Sequence, residues 1–357
     1  MSSKDHVKNI AVVGVTMTEL GNSFLRKKKL IHIQASGRVG GEILKSLLQC
    51  DIFNVTALSR QDSTATFAPG VTVKKGDYKS SEFLESAFEG QDVLIITLAG
   101  TTSPAVQSDL IKAAAKAGVP WILPNEYGQD GANAELVDAV FILKGKAKHR
   151  KEIEELGVSS WIGIASNLWF DYVRRPHPPV PSQILSANPY RFTQSLKGGQ
   201  YGIDIPSRKA EIYDDGTTAI TTTTVPQVGL SVARLLSLPV HSPSSPSLSD
   251  YKNKFVYITS FSVTQNDMLA AVQRATGTKS PDWTVTHTPV DQFIQEGRDK
   301  FAKGDRRGMI GLLYGSTFKR GLGDQFHGRE VANEELGLKE EDLDEVTQRV
   351  VKEVEAK

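Results

Sequence analysis

Cysteine is almost missing from this chain: Cys50 stands alone among 357 residues. A single cysteine excludes an intramolecular disulfide and a thiolate metal cluster. The seven histidines show no H-E-x-x-H or paired spacing, so no metal is expected. No apolar run reaches the roughly eighteen residues that a spanning helix needs, so no membrane partner is expected. The start, MSSKDHVKN, has no apolar signal core, and the expected location is the cytoplasm. Net charge is only +1, which removes the electrostatic reason to expect a nucleic acid or an anionic surface as partner. The basic run Arg26–Lys29 reads either as an import-type signal or as a chance cluster. What is present, 39% hydrophobic and 23% charged residues, fits an ordinary globular enzyme.

Residues 9–14 (NIAVVG) form a strand-like run that ends in glycine, and residues 35–49 (ASGRVGGEILKSLLQ) form a glycine turn entering an amphipathic helix. With Val15–Gln34 removed, the join places Gly14, Gly37 and Gly40 in G-x-x-G-x-x-G spacing, with Arg38 inside the turn. Glycine there lets backbone approach a pyrophosphate, and the helix N-terminus offers free N–H groups to it. The expected ligand is a dinucleotide.

The intervening Val15–Gln34 begins with a residue whose codons start GT and ends with one that CAG encodes, the usual intron borders. Val173–Gln194, rich in Pro, Ser and Arg, has the same borders. Within it, Ala187-Asn188 can be encoded by a branch-point-like GCTAAC. Two readings stand: retained introns, or genuine surface loops. Without both segments, 315 residues remain. That length suits one large α/β domain, or a dinucleotide domain with a smaller lobe.

Strand-like and helix-like runs alternate through the first half. Strands are expected at Asn9–Gly14, Phe53–Leu58, Val71–Lys74, Asp92–Leu98, Pro120–Leu123 and Ser159–Ala165. Helices are expected at Gly40–Gln49, Ser80–Phe88, Ser103–Ala117 and Lys144–Leu156. This alternation predicts a doubly wound parallel sheet. The second half is less regular. Short strands are expected near Glu211–Tyr213, Thr221–Thr224 and Phe255–Ile258. Helices are expected at Pro226–Leu236, Thr264–Thr276, Asp291–Lys303 and Lys339–Glu355.

Arg60 ends the second strand, where an acid would suit a free ribose 2′-hydroxyl and an arginine suits a 2′-phosphate. Arg38 adds a second cation nearby, so NADPH is expected rather than NADH; a solvated surface arginine is the alternative. Asp77 follows the third strand and either borders the adenine or serves as a turn residue. Ala99 and Gly100 follow the fourth strand, where backbone can approach the dinucleotide.

ILPNEYGQD (Ile122–Asp130) followed by LKGKAKHRKEIEELGV (Leu143–Val158) resembles the NmrA-like, isoflavone-reductase-like group of atypical short-chain dehydrogenases, which includes many fungal members. The match runs through Pro124–Gly128, Lys146 and Arg150, IASNLWF (Ile164–Phe170), YGID (Tyr201–Asp204), Thr221–Gly229 and KFVYITSF (Lys254–Phe261). The resemblance implies a Rossmann NADP-binding domain over 1–165 and a smaller α/β substrate lobe over 166–357, with some elements returning to the sheet. It implies an NADPH-dependent reductase acting on a small aromatic or conjugated substrate, with Lys146 as catalytic residue beside the cofactor. An ammonium there can polarise an oxygen on which negative charge develops. Lys144 and Lys148 remain alternatives, as does a merely solvated helix face. Glu126 either orients the lysine or substrate, or caps a turn. Asn167 is expected at the cofactor, and Trp169 and Phe170 either line the substrate pocket or fill the core. No Tyr-x-x-x-Lys pair is present. The group also includes non-catalytic NADP-binding regulators with a protein partner, a second reading. A third is a chain inactivated by its interrupted phosphate loop.

Overall fold

The computed structural model describes residues 5–14, 38–63, 65–99, 102–171, 196, 199–244, 246–305 and 307–355. Val15–Gln34 and Val173–Gln194 lie outside the described residues, and so do Gly37 and Gly100.

Apolar runs of β-branched residues build one large sheet. Its strands are β1 (Asn9–Val13), β2 (Asn54–Arg60), β3 (Val71–Gly76), β4 (Val93–Ile96), β5 (Trp121–Leu123), β6 (Tyr127–Gly128), β7 (Ser160–Ala165) and, far along the chain, β12 (Lys254–Tyr257). The order is β12-β7-β5-β4-β1-β2-β3, with β6 also on β7, and every pair is parallel. All four residues of β4 (VLII) are buried, as a central strand covered on both faces requires.

Helices cover both faces. On one, α1 (Arg38–Cys50) and α6 (Val225–Leu236) pack with Ile10, Val12, Ile95 and Val256. The two helices cross closely: a Cβ on Gly229 would lie 2.5 Å from the backbone carbon and oxygen of Glu42. On the other face, α2 (Ser81–Phe88), α3 (Pro104–Lys116) and α5 (Phe141–Leu156) pack with Val13, Leu94, Ile96 and Ile122. The Ser80 and Ser103 hydroxyls accept from Phe83 N at 3.2 Å and Ala105 N at 3.4 Å, satisfying free N–H groups at the starts of α2 and α3. The short α4 (Ala134–Ala139) stands between β6 and α5.

The rest of the chain builds a second, mixed region. One small sheet has the order β14-β10-β9, from β9 (Ile203–Asp204), β10 (Lys209–Tyr213) and β14 (Thr284–Thr288). The other has the order β13-β11-β8, from β8 (Leu168–Trp169), β11 (Ile220–Thr223) and β13 (Phe261–Val263). With them come α7 (Gln265–Thr276), α8 (Val290–Ala302), α9 (Gly308–Phe318) and α10 (Leu343–Glu355). Their shared core includes Phe170, Tyr201, Met268, Leu312, Phe318 and Val350.

The expected doubly wound sheet with a smaller mixed α/β region is the fold observed. Among the described residues no helix is long and apolar enough to cross a membrane.

Candidate functional site

Strand order reverses between β1 and β4, so the loops leaving these two strands diverge and open a crevice at their carboxyl ends. Gly14 leaves β1 with φ +92°, and a Cβ there would lie 2.5 Å from Thr97 O. Only glycine lets the chain pass so close to the end of β4. The Thr97 hydroxyl donates to Val13 O at 3.0 Å, and Asn125 Nδ2 donates to Leu98 O at 2.9 Å. These bonds join the ends of β1, β4 and β5 into one rim. Ala99 is exposed on that rim, and Gly40 is buried in the first turn of α1. Arg38 opens α1, but its side chain lies outside the described ones.

Arg60 ends β2 with its side chain 70% exposed and Nε 3.8 Å from an Asp62 oxygen. Such an exposed pair holds the guanidinium weakly. Asp77 is exposed, and its carboxylate accepts from Lys79 N at 2.9 Å, the geometry of a turn residue. Tyr78 beside it donates to Leu58 O at 2.8 Å, and burial pushes its phenol up to about 12.

The structure separates the candidate lysines. Lys144 reaches Asp138, on α4, at 3.0 Å. Lys146 lies one helical face away, its Nζ 3.6 Å from Glu126 Oε2. Glu126, in the loop after β5, is 2% exposed, while Lys146 remains 24% exposed. The second Glu126 oxygen accepts from Arg150 Nη1. Arg150 was legible only as part of a K-x-x-x-R pattern, and what it binds was not. Next to Glu126, the Tyr127 hydroxyl is buried, and loss of hydration raises its pKa.

Asn167 sits just past β7 with φ +52°, on the same side of the sheet as the Glu126 loop. Its Nδ2 donates to Thr221 Oγ1 and Gly323 O, both at 3.0 Å, so it ties the rim to the second region. Its buried Oδ1 has no hydrogen-bond partner among the described residues. Trp169 is half-buried, and its Nε1 donates to Ser166 Oγ at 3.3 Å. Phe170 is fully buried, with its ring 5.1 Å from Phe261 and 6.2 Å from Tyr201. Of the two aromatic residues, only Trp169 keeps a partly open surface; Phe170 belongs to the core of the second region.

A crevice at the switch point, a glycine at its floor and a partly open lysine over a buried acid define a nucleotide-fold protein whose site can serve a reductase. The NmrA-like family model matches residues 26–172. The chain is 29% identical to an oxidoreductase, aprR, of Aspergillus flavus, over 91% of this chain and 99% of the relative. Among solved structures, AtPrR2 with NADP+ and (+)-pinoresinol has a TM-score of 0.66 at 17% identity, covering 98% of this chain and all of that one. Leucoanthocyanidin reductase with NADPH from Vitis vinifera has a TM-score of 0.65 at 14% identity, covering 96% and 99%. Over residues 26–172 the chain is thus similar to NmrA-like proteins, the resemblance that its PNEYG and K-x-x-x-R segments carry. The family match begins inside the first suspect segment and takes in residues 26–34 (RKKKLIHIQ), which counts against reading the whole of Val15–Gln34 as foreign.

Proposed function

We propose that this protein is an NADPH-dependent reductase that transfers hydride to a small aromatic or conjugated substrate. The observation that carries the reading is Lys146, partly open and 3.6 Å from the buried Glu126 in the loop that leaves β5, next to β4 in the sheet. The oxidoreductase name of the fungal relative and the nicotinamide cofactors named in the similar structures support it.

Two features beside the crevice support a dinucleotide there. The close passage of Gly14 over Thr97 leaves the floor without side-chain bulk, and α1 begins at its edge. Gly14, Gly37 and Gly40 would bring backbone to the pyrophosphate, with Arg38 and Arg60 toward the 2′-phosphate. Asp77, Ala99 and Gly100 would border the adenosine half, and Asn167 the nicotinamide. When bound, the cofactor supplies the hydride. Lys146 holds a proton on Nζ and donates a hydrogen bond to the substrate oxygen on which negative charge grows. Glu126 keeps that ammonium aimed, and Trp169 offers an apolar wall. On this reading residues 1–165 hold the cofactor and 166–357 shape the substrate side. A cytoplasmic location and a small-molecule partner go with it.

The test is an NADPH titration by nicotinamide fluorescence on two proteins, the full chain and one lacking Val15–Gln34 and Val173–Gln194. A turnover screen over conjugated carbonyl and aromatic compounds follows. Binding with turnover is expected from whichever form is the mature protein. Binding without turnover across the panel would replace the reductase by a regulator with a protein partner. If neither form bound, the reading would fail.

A further inference from the structure

Arg150 is a buried cation that the reaction above does not use. Its Nη1 donates to Glu126 Oε1 and its Nη2 donates to Gly131 O at 2.8 Å. Its guanidinium carbon lies 5.0 Å from the Phe255 ring centre and 5.4 Å from that of Trp161. Trp161 is fixed in turn by a 2.7 Å hydrogen bond from Nε1 to Glu154. The seat needs two glycines. A Cβ on Gly131 would lie 2.8 Å from Phe255 Cζ and 2.9 Å from Arg150 Nη1, and one on Gly163 would lie 2.5 Å from Phe255 Cε1. Two aromatic rings, a carbonyl and a carboxylate thus hold this guanidinium in one pose.

We propose that Arg150 is the positioning residue for Lys146, acting through Glu126. It takes up the carboxylate so that Lys146 is oriented by Glu126 without being bound to it. The 3.6 Å separation of Nζ from Oε2 is outside good hydrogen-bond reach, so the ammonium keeps its donors for a ligand. Guanidinium, with its planar fork and weak hydration, suits the buried half of this arrangement, while ammonium suits the open half. Truncating Arg150 strips a buried carboxylate of its nearest cation, a costly state that pulling Lys146 inward relieves. The lysine then serves as a structural counter-ion instead of a donor to substrate.

The inference rests on Lys146 facing substrate, so the test has one arm that needs no turnover. The folded protein is treated briefly with an amine-directed acylating reagent, and labelling is mapped by peptide mass analysis, with Lys144 as internal reference. Arg150→Met should slow labelling of Lys146 severalfold, and Glu126→Gln should speed it. Equal rates in the unaltered protein and both variants would overturn the proposal. If Arg150→Met does not fold, the Glu126→Gln arm decides alone, by the same criterion. In the second arm, Arg150→Met should lower kcat while leaving NADPH affinity unchanged, and should cause no further loss in a Lys146→Met background. Losses that multiply would mean that Arg150 acts independently of the lysine, against the proposal. Absence of turnover in the unaltered protein would remove the reductase reading and leave the labelling arm to judge this one.

Discussion

Arg349, on the last helix, places Nη2 3.1 Å from the carboxylate of Asp171, 178 residues earlier in the chain. Val225 N, at the start of α6, donates to the same carboxylate at 2.9 Å. One acid therefore joins the end of β8, the start of α6 and α10. Loss of hydration nonetheless raises the Asp171 pKa, outweighing the Val225 amide and Arg349, which pull it down; Glu341 adds to the rise. A carboxyl raised in the folded state stabilises fully below its unfolded pKa, and that contribution is lost as pH climbs through the folded value. Asp171→Asn should therefore melt at the same temperature as the parent or slightly higher at neutral pH, by about 1–3 °C. The difference should vanish in acid. Melting curves across a pH series test this, and a clear loss at neutral pH would mean that the ion pair outweighs dehydration.

Lys146→Ala should bind NADPH with unchanged affinity and lose about 100-fold or more in kcat, the usual range for a removed general acid. Lys144→Ala, which breaks only the exposed pair with Asp138, should stay near the parent. Fluorescence titration and steady-state turnover on the same preparations separate the two effects. Equal losses from both variants would shift the chemistry off Lys146.

Arg60→Ala should reduce the preference for NADPH over NADH by about tenfold and leave NADH binding alone, because only the 2′-phosphate loses a partner. The ratio of the two dissociation constants is the readout. An unchanged ratio would return Arg60 to the status of a solvated side chain paired with Asp62.

Gly229→Ala should destabilise the fold by about 1–3 kcal/mol, since the new methyl meets Glu42 backbone, which cannot rotate away. Denaturant unfolding measures it. A neutral result would show that α1 and α6 can move apart freely.

Much of the sheet was readable from residues alone, because strands covered on both faces are written as unbroken apolar runs and helices begin at capping serines. The run DVLIITL contains the observed strand Val93–Ile96, and the helix expected over Ser80–Phe88 is found at Ser81–Phe88, capped by Ser80. Helix α9 was not readable. Its residues GMIGLLYGSTF contain three glycines, which argue against helix, and nearly every side chain is buried, so no polar face marks a period. Those glycines reflect tertiary contact: a Cβ on Gly311 would lie 2.8 Å from Gly297 Cα on α8. At the candidate site, the family resemblance singled out Lys146 and Arg150, but not which carboxylate they share. Glu126 lies twenty-four residues from Arg150, and a partnership over that distance is set by the fold and leaves no local pattern.

Strand β12 closes one side of the large sheet by pairing with β7, yet it is synthesised only after the whole of residues 166–253. Until then β7 is an open edge on a nascent chain, and α1 lacks the cover that α6 later brings. Residues 5–165 therefore gain their last strand partner and the cover of α6 only after much of the remaining chain has been made. A fragment that stops at residue 165 would leave translation with an unpaired strand border and an uncovered apolar face, and aggregation is its expected outcome.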